Sequence, residues 1–165
     1  MMFAVSLAGL ADRWADYYKD HTTAQVTIQF LHIGGLLAAG GLALATDRET
    51  LLVPQHNIKA RGTAVLAHRS IHTWVLVALT VVVASGIAFF LADRDTYLSS
   101  LPFWLKMGSV ATLLANGTWM LRLERACITY PTDDRAWRHL RFSAGASVAL
   151  WFLTTLLGTV LNNAA

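Results

Sequence analysis

A single cysteine, Cys127, excludes an internal disulfide and any cysteine-held metal cluster. Proline occurs three times, at Pro54, Pro102 and Pro131, and never inside a long apolar run, so nothing interrupts the helices those runs predict. Charge is scarce: 14% of the 165 residues are Asp, Glu, Lys or Arg, against about 25% in an ordinary soluble domain. Internal repeats and low-complexity tracts are missing too. The apolar opening has no basic stretch before it and soon turns charged and aromatic, which argues against a cleaved signal peptide.

What remains is 55% hydrophobic. A helix needs about 20 apolar residues to cross a bilayer core, and four runs reach that length: 24–46, 72–92, 103–121 and 142–161. The expected fold is all-α, an integral membrane four-helix bundle over residues 23–165 preceded by an interfacial amphipathic segment over 1–22. In that segment Phe3, Leu7, Leu10 and Trp14 recur at helical spacing against Asp12, Asp16 and Asp20.

The formal net charge of +3 comes from basic loops. Arg48, Lys59, Arg61, Arg69, Arg122, Arg125, Arg135, Arg138 and Arg141, nine of the thirteen Lys and Arg, fall in or beside the loops after the first and third runs. This is a membrane-edge distribution and not a nucleic-acid surface. The positive-inside rule makes that side cytoplasmic, with both termini and the "DRDTYLSSLP" turn outside.

Polar residues inside the runs lie on stripes. Gln25, Gln29, His32 and Gly35 share one by i, i+3, i+4 spacing, as do Lys106, Ser109 and Asn116, then His68, His72 and Thr80, then His139, Ser143 and Ser147. Lipid offers no hydrogen bonds, so each stripe is expected to face a common interior. His32 falls about 10 Å below the outer boundary of its run, from a rise of 1.5 Å per residue. Lys106 and Met107 descend from the same side, while His68, His72 and His139 open their helices from the other.

Histidines on facing helices, with small residues for a macrocycle and basic residues for propionates, are the donor set of a b-type haem. His72 with His139 is the most level pair, with His68 beside it and Arg69, Arg138 or Arg141 at the propionate edge. His32 has no level histidine, so its partner would be Met107, Lys106 or an open site. Gly34, Gly35, Gly40 and Gly41 suit close approach of a backbone or a flat ligand. The alternative at each histidine is a hydrogen-bonded structural residue. His21, His56 and Cys127 carry no signal.

The stretches "LHIGGLLAAGGLALATDRETLL", "ASGIAFFLADRDTYLSSLPFWLKMGSVATLLANGTW" and "SVALWFLTTLLGTV" resemble an uncharacterised bacterial family of four-helix membrane proteins. That family has a His-Gly first helix ending in Asp-Arg, a Tyr-x-x-x-x-x-Phe-x-x-Lys opening to the third helix and a Trp in the fourth; Tyr97, Phe103, Lys106 and Trp151 match. The likeness extends from residue 30 to 160. More distantly, the first-helix His and third-helix Lys are similar to those of HemJ-type protoporphyrinogen oxidases and of copper-resistance D membrane domains. The HemJ resemblance implies haem b and porphyrin handling at His32 and Lys106, although the loops and the surroundings of His32 depart from that family. No Met-rich or paired-His copper motif stands out, so copper is the lesser expectation. The expected function is a haem b-binding protein of the bacterial inner membrane, multi-pass, carrying electrons between a quinone or partner subunit and an acceptor. Such a protein would not be an enzyme by itself. A HemJ-like porphyrin oxidase and a cofactor-free accessory or assembly subunit are the alternatives, and an oligomer remains open.

Overall fold

A computed structural model describes residues 2–164, with the side chains of residues 2–8, 162 and 164 outside the described set. Phe3 and Leu7, half of the apolar stripe expected in the N-terminal segment, therefore lie outside the described side chains. Six helices follow one another: α1 (Met2–Asp20), α2 (Thr22–Leu52), α3 (Ile58–Ala92), α4 (Arg94–Ser99), α5 (Leu101–Thr129) and α6 (Asp134–Ala164). No strand occurs among the described residues.

Helix boundaries overrun the apolar runs, for local reasons. The Asn57 side chain accepts from the Ala60 N–H at 3.0 Å and starts α3 fourteen residues before the apolar run at His72. His68 and His72 therefore lie well inside a helix instead of opening one. Asp133 does the same for α6, its Oδ1 accepting from the N–H groups of Arg135 (2.8 Å) and Ala136 (3.3 Å). At the end of α2, the Asp47-Arg48-Glu49 cluster does not stop the helix, which continues to Leu52. Proline behaves as expected: Pro102 sits in the first turn of α5, and Pro54 and Pro131 lie between helices.

α2, α3 and α6 are long and apolar enough to cross a membrane. At 31 and 35 residues, α2 and α3 measure about 46 and 52 Å. α5 has the length, at 29 residues, but Lys106, Ser109, Thr112, Asn116 and Thr118 dilute its apolar character, and it is not one of those three.

Packing joins α2 to α3 and α5 to α6, and the two hairpins meet mainly through α2 and α6. α1 lies against the far end of α3: the Trp14 indole donates to the Ala88 carbonyl at 2.9 Å, and Arg94 pairs with Asp12 at 2.5 Å. Two apolar clusters tie the helices together. One holds Ala64, Val65, Met120, Leu123, Trp137 and Leu140 near the turns at 53–57 and 130–133; the other holds Ala39, Ala78 and Trp151 at mid-height.

The distribution of side chains is the inverse of a soluble domain. Phe30 and Phe142 are 73% and 79% exposed, whereas Thr46, Asp47, Thr50, Ser85, Ser109, Ser143, Ser147 and Thr154 are buried. Large apolar groups face outward and small polar groups pair inward, as expected where the surrounding medium is hydrocarbon.

Candidate functional site

Interior polar groups gather at two levels. At the α4 end, the Ser85 hydroxyl donates into its own helix, to the carbonyls of Val81 (2.7 Å) and Val82 (3.0 Å). The same hydroxyl oxygen lies 2.9 Å from Nδ1 of His32. The contact holds the ring by Nδ1, and Nε2 has no hydrogen-bond partner among the described residues. Phe89 meets the ring edge-on, with centroids 5.4 Å apart. Gly86 also lies against the ring, where an added Cβ would stand 3.6 Å from Cε1.

Lys106 reaches the same level from α5. Its amine lies over Gly158, 3.4 Å from where a Cβ would be. No ion pair or hydrogen bond among the described residues engages that amine. Met107, one residue on, is turned outward and 37% exposed.

The stripes divide on inspection. Gln25 does not face the interior site but caps the end of α1, donating to the carbonyls of Tyr18 (2.9 Å) and Lys19 (3.2 Å), and Gln29 is exposed. Ser109 and Asn116 do turn inward, against α6. Ser109 shares a 2.7 Å hydrogen bond with Thr154, and Asn116 and Ser143 bond reciprocally at 2.6 and 3.0 Å. The glycines separate likewise. A Cβ on Gly35 would meet Val82 Cγ2 at 2.8 Å and one on Gly40 would meet Trp151 at 3.2 Å, while Gly34 and Gly41 have nothing within 4 Å.

At the turn end His68 is hydrogen-bonded through both ring nitrogens. Its Nδ1 bonds Glu124 Oε1 at 3.0 Å, its Nε2 bonds Thr50 Oγ1 at 3.2 Å, and only 9% of its side chain is exposed. Asp47, beside His68, Glu124 and Ser147, is 2% exposed, and its Oδ2 has no partner. His72 borders an open groove between α3 and α5, whereas His139 and Arg138 are exposed on α6. The expected His72–His139 pair is therefore not brought face to face: α6 is rotated so that Leu140 and Ser143 take the interior positions. Arg141 is engaged with the Leu51 carbonyl at 3.0 Å. Among the described residues no three His, Cys, Asp or Glu side chains converge as a metal-ligand set.

Asp47, Thr50, Ser85 and Glu124 escape a reading of the sequence. The charged run "TDRET" reads as a membrane edge, and Glu124 is hidden between Arg122 and Arg125. The available signal is the stride of each interior face. Gly35, Ala39, Thr46 and Thr50 continue one helical face of α2, and Asn116, Met120 and Leu123 lead directly to Glu124 on α5.

Comparison with protein-family models, curated proteins and solved structures finds no match to this chain.

Proposed function

We propose that the chain is a four-crossing protein of the bacterial inner membrane that binds haem b and carries electrons, and that His32 would hold the iron with Lys106 nearby. The observation that carries this reading is the setting of His32: Ser85 holds the ring by Nδ1 at 2.9 Å, and Nε2 has no hydrogen-bond partner among the described residues. A hydrogen bond at one imidazole nitrogen is the usual support of a ligating histidine. Lys106, without an ion pair or hydrogen bond among the described residues, supplies either a second donor or a positive charge for a propionate. Glycines at 86 and 158 keep side-chain bulk away from both groups. The likeness to HemJ-type proteins at these same two positions supports the assignment.

The turn-end histidines are the weaker candidates, since both nitrogens of His68 are engaged and His139 faces outward. A fourth crossing by α5 is supported by its length and by the pairing of its polar stripe with α6. The concentration of basic residues at the turn end supports that end as cytoplasmic, with both termini outside. Haem would supply a one-electron couple whose potential follows from axial ligation and burial. The chain's own part is to fix the imidazole, exclude water and present Lys106.

Protein purified in mild detergent from haem-replete cells is expected to be red, with a Soret band that shifts on reduction. A colourless preparation overturns the reading and leaves a cofactor-free accessory subunit. Oxidation of protoporphyrinogen by the red protein would make it a porphyrin oxidase instead.

A further inference from the structure

We propose that Glu124, His68, Thr50 and Asp47 form a proton relay that opens on the groove between α3 and α5 and ends on Asp47. The groove has a volume of about 380 Å³, and Glu124 lies in its wall with Arg69, His72 and Arg125. From there the contacts lead inward. Glu124 bonds His68 Nδ1 at 3.0 Å, and His68 Nε2 bonds Thr50 Oγ1 at 3.2 Å. An imidazole held between a carboxylate and a hydroxyl can accept a proton at one nitrogen and release one from the other. Thr50 and Asp47 are three residues apart on α2 and share a face, with no hydrogen bond between them among the described residues, so the last transfer has the Thr50 hydroxyl turn from His68 toward Asp47.

Asp47 makes this more than a structural network. A buried carboxylate normally spends both oxygens on donors; Asp47 is 2% exposed and Oδ2 has none. Its neighbours cannot neutralise it fully. α3 presents His68, α5 presents Glu124 and α6 presents the uncharged Ser147. The nearby cations are committed elsewhere, Arg141 to the Leu51 carbonyl and Arg61 to Asp134 at 2.6 Å. His68 pairs with Glu124, and Arg69 and Arg125 lie on the groove side of Glu124, so no cation among the described residues forms an ion pair with Asp47, and a single added proton removes its charge from a dry interior. Each transfer breaks one N–H or O–H bond and forms another, so no oxidant or reductant takes part. None of it requires haem.

The test is infrared difference spectroscopy of the full-length protein in lipid vesicles at neutral pH, in light and heavy water. The expected result is a protonated-carboxyl stretch that shifts on deuteration, moves with isotope-labelled aspartate, and vanishes in Asp47→Asn. Labelling makes the assignment in the wild-type protein, independently of how any variant folds. Glu124→Gln keeps an oxygen for His68 to bond, so the band should persist while its response to a pH jump slows on the order of a hundredfold. A wild-type spectrum without the band, a band insensitive to labelled aspartate, or an unchanged rate in Glu124→Gln overturns the proposal. These bands are read equally well in a red or a colourless preparation, so the relay and the haem reading fail separately.

Discussion

Trp151 packs its indole against the backbone of Gly40: a Cβ on that glycine would stand 3.2 Å from Cε3 and 3.5 Å from Cζ3. Through this contact α2 and α6 approach at mid-height, around the buried Ala39 and Ala78. It also fixes the height at which the polar levels above and below are separated.

The glycine pairs should therefore respond oppositely. Gly35→Ala forces a Cβ to 2.8 Å from Val82 Cγ2 and 3.2 Å from the Ala78 carbonyl, and an overpacked helix contact costs about 1–3 kcal/mol. Gly34→Ala and Gly41→Ala meet open space and gain up to about 1 kcal/mol of helix propensity. Thermal unfolding in detergent checks the sign; equal effects within the pair Gly34 and Gly35 would disprove the close approach of α2 and α3.

Three histidine substitutions separate the two levels as haem sites. His32→Ala should abolish or shift the haem spectrum while the protein still inserts, and Ser85→Ala should shift the reduction potential by freeing Nδ1. His139→Ala should leave the spectrum unchanged, because that ring is exposed. If His72→Ala loses haem and His32→Ala does not, the cofactor belongs to the turn end and "FLHIGG" is a packing motif.

The docking of α1 should rest on Trp14 and not on its ion pair. Arg94 and Asp12 have side chains 38% and 64% exposed, and such pairs contribute at most about 1 kcal/mol. Trp14→Phe removes the 2.9 Å bond to the Ala88 carbonyl, which keeps its own partner within α3, at a cost of about 0.5–1.5 kcal/mol. Hydrogen exchange across α1 should accelerate in Trp14→Phe and barely change in Asp12→Asn; the reverse order would assign the docking to charge.

Orientation can be read with fusions. A reporter inserted between Pro131 and Asp133 should behave as cytoplasmic, and one between Ser99 and Leu101 as exported. If both report the same side, α5 does not cross the membrane, and the count falls to the three helices whose composition already suffices.

Composition and apolar run length determined on their own that the chain is helical and built to meet hydrocarbon, because a bilayer demands long apolar segments whatever they pack against. The spacing of Ser109 and Asn116 likewise announced an inward stripe, since a polar group in lipid has nowhere else to go. Helix ends were less legible: Asn57 and Asp133 start α3 and α6 through side-chain caps several residues before hydropathy rises. What only tertiary structure decided is how each helix is rotated. His139 and Ser143 are four residues apart and so about 40° out of line on the helix, and a rotation of a few tens of degrees puts His139 outside and Ser143 inside, engages both nitrogens of His68, and turns Asp47 from a boundary residue into a buried acid. The level of a residue follows from counting along its own helix; its partner depends on the packing of the helix opposite, which no single stretch of sequence encodes.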